Sequence, residues 1–245
     1  MEMILLDWTR MGRSYCLAGA VTEGGHFRTV RPLFRKHQQP PVRNAGWSAY
    51  LFDGHARWEI FELVGPAPAA PEPPHLEDVW VRELRPRRRS ATPEQRRTIL
   101  TASAVQSGFS IFGAAFTTTR TAAYLTPGSG QQSLATLIVP VHQILFSGAR
   151  RGGAAESDIR ATLPIPELGP RELPVKDHHL LLRAEAGASS LEEQLKRIQQ
   201  VIHGMGERVA VRLGLSRPFQ GEKTQGPAMC WLMADGFFSL DDPQP

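Results

Sequence analysis

Cysteine is nearly absent: Cys16 and Cys230 are the only two in 245 residues, too few for a disulfide framework or a four-cysteine zinc site. The expectation is therefore a reducing, cytoplasmic setting, with both thiols as inert structural residues. Lysine is scarce as well, four residues against 24 arginines. In a chain so rich in Ala, Gly and Pro, a GC-rich coding background accounts for that ratio, although the planar guanidinium also suits phosphates and carboxylates. No apolar run approaches the ~20 residues of a membrane helix. Met3–Leu6, closed by Asp7 with no basic residue before it, does not read as a secretory leader. The chain has no Gly-x-Ser-x-Gly elbow, no phosphate-cradling Gly-Lys-Ser/Thr loop, no dinucleotide Gly-x-Gly-x-x-Gly and no fixed-period repeat. Those absences argue against the common hydrolase, nucleotide-hydrolysing and dehydrogenase classes and against a solenoid.

What is present is a succession of short β-forming runs. Ser14–Val21 and His26–Leu33 flank Gly24-Gly25 and predict a hairpin. A period of two puts Phe27, Thr29, Arg31 and Leu33 on one face and His26, Arg28 and Val30 on the other. Arg28 and Arg31 therefore face different surroundings, and Arg31 is either a buried structural residue or the floor of a site. Pro32 ends the strand or confines it to an edge. Further strands are expected at Met3–Trp8, Trp47–Phe52, Arg57–Val64, within Leu134–Phe146, at Ile159–Ile165 with Glu172–Val175, at Arg208–Leu215 and within Pro227–Leu240. Two helices announce themselves by their caps. One starts at Thr92-Pro93-Glu94-Gln95; the other runs over 189–203, with Leu191, Leu195, Ile198 and Ile202 as its stripe and Gly204 and Gly206 as its stop. The fold class is mainly β with a few helices: two tandem OB-fold-like β-barrels, a basic domain over 1–125 and a second over 126–245 that carries the amphipathic helix.

Charge divides along the same line. Residues 1–125 hold 16 Lys+Arg and 11 Asp+Glu, a net of +5, whereas residues 126–245 hold 12 and 13, a net of −1.

In order along the chain, Gly12-Arg13 with Cys16-Leu17-Ala18-Gly19, Val30-Arg31-Pro32, His75-Leu76-Glu77-Asp78, Leu173-Pro174-Val175-Lys176-Asp177, and Leu213–Phe219 followed by Cys230-Trp231-Leu232 resemble the motifs of the dual OB-containing domain family of prokaryotes. Thr29 stands where that family carries an aromatic residue, and its usual Asn near Asp78 is missing. The resemblance implies two OB-folds and a role in binding nucleotides or nucleic acid beside prokaryotic defence genes.

Single-strand-binding OB-folds combine a basic groove with aromatic platforms. The residues expected to supply them are Arg10, Arg13, Arg28, Arg31, Arg35, Lys36, Arg82, Arg85, Arg87, Arg88 and Arg89 for phosphates, with Trp8 and Trp80 for stacking; Arg43 and Trp47 lie nearby in sequence. The bland alternative is a solvated basic face with core tryptophans. No catalytic residue, cofactor or metal ligand is assigned, and the expected partner is single-stranded DNA, RNA or a nucleotide, without a membrane. Two other readings stay open. The basic patch would equally match an acidic protein partner, making the chain an adaptor in a multi-protein defence complex. Asp177-His178-His179, or His75 with Glu77 and Asp78, would serve a metal-dependent nuclease, against which Asp177 reads more simply as the cap of the turn that follows it.

Overall fold

The computed structural model describes the chain except for residues 12–13, 35–46, 49–53, 70–71, 106–110, 120–121, 151–156, 221–225 and 242–245. Gly24 and Gly25, both with positive φ (58° and 82°), close the turn between β2 (Ser14–Glu23) and β3 (His26–Phe34). Two left-handed residues in a two-residue turn match the twist of the flanking strands, which is why a glycine pair stands there. β2 also pairs with β1 (Glu2–Met11) and, briefly, with β4 (Trp47–Ser48). β5 (Glu59–Val64) joins β1 on its far side and β8 (Glu83–Ser90) forms the outer edge beyond it. On the other flank β3 pairs in parallel with β7 (Asp78–Val81), which pairs with β6 (Ala67–Pro68).

β3 runs through Pro32 rather than ending there. Its pairing with β2 ends at Val30, and beyond that point the Arg31 N–H donates to Glu77 O of the strand's parallel neighbour. Alternate residues of a strand direct their N–H groups to opposite sides, so the N–H that Pro32 lacks falls on the unpaired side. There the Pro32 carbonyl accepts a bond from Trp47 Nε1 at 3.0 Å.

The first sheet is buried on both faces. Met3, Leu5, Trp8, Leu17, Val21, Phe61 and Val81 fill the inside of the curl. Ile4, Leu6, Ala20 and Ile60 face outward onto α1 (Pro93–Ala102) and onto Ala210 and Phe238 of the second half. Alternation breaks once on β1: the register passes from Leu5↔Gly19 to Asp7↔Ala18, leaving Leu6 as a bulge. A bulge moves every later residue to the other face, and this one turns Asp7 towards the second half and Trp8 inward.

The second half is built from a sheet ordered β11 (Leu134–Pro140), β15 (Arg208–Leu215), β16 (Cys230–Ser239), β10 (Ala123–Leu125), β9 (Thr117–Thr118). A three-stranded meander accompanies it: β12 (Leu145–Arg150), β13 (Ser157–Ile165) and β14 (Gly169–Pro174). The run expected over Leu134–Phe146 is two strands, parted by a 3-10 turn at Val141–Gln143 that follows Pro140. Among the described residues strand accounts for 52% and helix for 17%, in three helices, so the fold is mainly β with two curled half-barrel sheets. β9, β10, Ile111 and Phe112 belong to the second sheet and its core, although they precede residue 126. Among the described residues no helix is long and apolar enough to cross a membrane.

Both expected helices form. Thr92 and Gln95 complete a reciprocal capping box on α1. Ser190 caps α3 (Leu191–His203), which buries Ile198 and Ile202 and packs Leu191 and Leu195 against the same core. A third helix was not anticipated. α2 (His178–Glu185) begins directly after Asp177, whose carboxylate accepts from Leu180 N at 2.9 Å. The aspartate expected to cap a turn caps a helix.

Candidate functional site

The densest positive charge occupies an exposed edge. Among the described residues β8 pairs only with β5, and Arg85, Arg87, Arg88 and Arg89 are all exposed on it. Its register passes from Phe61↔Pro86 to Glu59↔Ser90, so Arg87–Arg89 stand opposite one residue of β5 in a wide bulge, and Arg88 has the left-handed φ of 51°. Bulges and charge on an edge strand also prevent edge-to-edge pairing with another chain. Carboxylates of β8 itself and of neighbouring strands meet three of these arginines. Arg85 Nη2 lies 2.8 Å from Glu83, Arg87 Nη2 lies 3.1 Å from Glu62, and Arg89 pairs with Glu2. Arg82 is exposed beside Gly65, where a Cβ would come within 2.5 Å of its Nε. Residues 82–97 hold seven arginines against Glu83 and Glu94, and with Glu2 and Glu62 counted this stretch keeps a net charge of +3.

The other expected contact residues do not share that surface. Arg28 is exposed on β3 and pairs with Glu23 at 2.9 Å. Arg10 is committed to Glu185 of α2 through two bonds of 2.8 and 3.1 Å. Arg13, Arg35, Lys36 and Arg43 lie outside the described residues. Trp8, expected as a stacking platform, is only 3% exposed; its ring packs among Tyr15, His178 and His179 at centroid distances of 5.0 to 5.4 Å. Trp47 is buried and Trp80 half-buried on β7. The Leu6 bulge explains Trp8, because it rotates that side chain into the curl.

Arg31, whose role the sequence left open, is buried at 3% exposure. Nη1 donates to His75 Nδ1 at 2.8 Å and lies 3.5 Å from Asp78, while Nη2 donates to Ser133 Oγ at 2.8 Å. Arginine only donates, so His75 Nδ1 is the acceptor and the ring proton sits on Nε2, facing Cys230 Sγ at 3.9 Å. Burial and the neighbouring Arg31 and Arg217 push His75 down to about 2. Glu77 accepts from Ser133 N, Ser133 Oγ and Leu134 N, and Arg217 pairs with Asp78 at 2.6 Å. The acidic stretch His75–Asp78 thus fastens the first half to the second.

Two further buried pairs cross the junction. Asp7 receives Arg212 through Nε (3.0 Å) and Nη2 (2.8 Å), and Arg212 Nη1 continues to Thr136 Oγ1. Arg57 lies 2.6 Å from Asp177, whose other oxygen accepts from Phe237 N. Sequence reading missed Asp7, Arg212 and Asp235, which bear charge but sit in no motif.

Of the groups named for a nuclease, the carboxylates are engaged while one ring nitrogen each of His178 and His179 is buried without a partner. Asp177 is taken by the α2 cap, Phe237 N and Arg57. His179 is pushed down to about 3, first by burial and then by Arg57, and His178 is lowered by burial and Arg10. Burial pushes the Cys230 thiol up to about 11 and raises Cys16 as well. Among the described residues no group of three or more His, Cys, Asp or Glu could hold a metal ion.

No protein-family model matches the chain, and no curated protein or solved structure matches it either.

Proposed function

We propose that this chain is a non-catalytic, dual OB-like protein that binds single-stranded nucleic acid along the β8 edge. The observation that carries the reading is the exposed, bulged run Arg85–Arg89, continued by α1 into a ledge of net positive charge. Exposed arginine–carboxylate pairs are worth little in water, so phosphates can replace Glu2, Glu62 and Glu83 at small cost. Strands β5, β1, β2, β3 and β7 curl around one core as a partly open barrel, in keeping with the OB-like reading. With Trp8 and Trp47 inside, binding rests on phosphate contacts rather than stacking, and its affinity falls steeply with salt.

A fluorescence-anisotropy titration with a labelled ~20-nucleotide strand at two salt concentrations tests this. The expected result is single-strand binding whose salt slope shrinks when Arg85, Arg87, Arg88 and Arg89 become Ala. An unchanged slope in that variant, or no binding at low salt, overturns it; the second outcome favours an acidic protein partner for the same ledge.

A further inference from the structure

A small cavity of about 40 Å³ lies where Arg57 of the first half meets α2, α3 and β16 of the second. Arg57 sits in the turn before β5, and the next residue, Trp58, takes the left-handed φ of 70°. A bulky side chain adopts that conformation at a cost, and the turn it makes carries Arg57 to Asp177, with only 6% of the arginine exposed. Its Nη2 lies 2.6 Å from the Asp177 carboxylate and its Nη1 reaches the Phe237 carbonyl at 3.4 Å. The Arg57 Nε is buried without any hydrogen-bond partner.

His179 lines the same cavity, its ring edge-on to Trp8 at 5.0 Å, and its Nε2 is likewise buried without a partner. Arg183, one turn further along α2 and exposed, completes the polar side, and Val201 and Phe237 supply apolar wall. The lining carries two guanidiniums against one carboxylate, and both Asp177 oxygens already accept backbone N–H groups, from Leu180 and Phe237. Beyond burial, it is Arg57, His178 and Arg183 that hold the His179 ring down at about 3, so the field there is positive. A buried donor left without an acceptor is costly, and one anion would relieve two of them at once. The space is near the share of a single water, about 30 Å³, which admits a monatomic ion and shuts out phosphate.

We infer that this cavity binds a small monovalent anion of the chloride class, held by the Arg57 Nε–H, by His179 with its ring proton on Nε2, and by the charge of Arg183 at the mouth. The anion ties the turn before β5 to α2, and so the first half to the second. The site is separate from the β8 edge and does not depend on it.

Thermal unfolding of the full chain in sodium chloride and in sodium gluconate at equal ionic strength tests the inference, gluconate being too large for the cavity. Chloride is expected to raise Tm over gluconate by roughly 3–6 °C for each tenfold in concentration once the site fills, and bromide to do the same. Arg183→Gln, an exposed change, weakens the ion about tenfold, as expected for a lost charge-assisted contact. His179→Phe keeps a ring against Trp8 but removes the N–H, and the chloride response disappears. Anomalous scattering from crystals soaked in sodium bromide places one bromide beside Arg57 Nε. Equal Tm in chloride and gluconate overturns the inference, as does a response of the parent's size in both variants, or a cavity that holds only water in the bromide-soaked crystal.

Discussion

Arg212 lays Nε and Nη2 on the carboxylate of Asp7, 205 residues away in the chain, with neither side chain open to solvent. The pair joins an interior strand of the first sheet, β1, to the second sheet. It explains why β1 carries an aspartate in an otherwise apolar run.

Removing one partner leaves the other charge buried without compensation. Asp7→Ala is expected to destabilise the protein by about 3–5 kcal/mol, whereas Asp7→Leu combined with Arg212→Met costs less than either single change, because no charge is left stranded. Urea unfolding of Asp7→Ala, Asp7→Leu, Arg212→Met and the double variant measures this, and a double variant less stable than either single would refute it.

Arg31→Ala strands Asp78 against Arg217 alone and leaves His75 Nδ1 and Ser133 without their donor. A loss on the order of 3–5 kcal/mol is expected, roughly 6–20 °C in Tm for a chain of this size. Thermal unfolding followed by circular dichroism reads it. A variant with the parent's Tm would return Arg31 to the candidate contact residues.

Asp235 is the extra residue of a bulge in β16, since the register passes from Arg212↔Gly236 to Leu213↔Ala234. A Cβ on Gly214 would lie 1.7 Å from its Oδ2, so glycine at 214 makes room for the carboxyl. Burial, and secondarily Asp7, pushes Asp235 up to about 7, against the attraction of Arg31 and Arg212. A carboxyl raised above its unfolded value of 3.8 costs stability as pH rises from that value through about 7. Asp235→Asn should therefore stabilise the protein at pH 8, by roughly 1–4 kcal/mol, and bring no such gain at pH 4. Chemical denaturation at the two pH values checks both signs, and equal effects at both would rule the account out.

Acid acts in the opposite sense on the histidines. His75 and His179 stay neutral in the folded protein down to about 2 and 3, from an ordinary 6.5. Below 6.5 the unfolded chain takes up protons that the folded chain refuses, so each of the two removes about 1.4 kcal/mol per pH unit as pH falls towards its folded value. His178, lowered by burial and Arg10, adds to the same trend. His179→Gln should flatten the loss of stability between pH 6 and pH 4; a curve parallel to the parent's would contradict this.

Local chemistry was legible in the sequence, and long-range pairing was not. The β2–β3 hairpin could be read from Gly24-Gly25, α1 from Thr92 and Gln95, and α3 from Ser190 and its stripe, because each signal lies within a few residues of what it controls. α2 escaped because its eight residues follow directly on Asp177, and the adjacent His178 and His179 suggest a metal as readily as a helix start. Arg28 and Arg31 were correctly separated by strand period. Trp8 was not placed, because one bulge at Leu6 reverses the parity of β1 and no local signal marks it. The partners of Arg31 (His75, Asp78 and Ser133) and of Asp7 lie 44 to 205 residues away, beyond the reach of any motif.

The Asp7–Arg212 separation also sets a clock on the ribosome. At 5–20 residues per second, Asp7 leaves the tunnel roughly 10–40 s before Arg212 does. Throughout that interval the outward face of the first sheet, with Ile4, Leu6 and Ile60, waits without Ala210 and Phe238 to cover it. The nascent first half therefore carries an uncovered apolar face and the unpaired Asp7 until the last strands arrive.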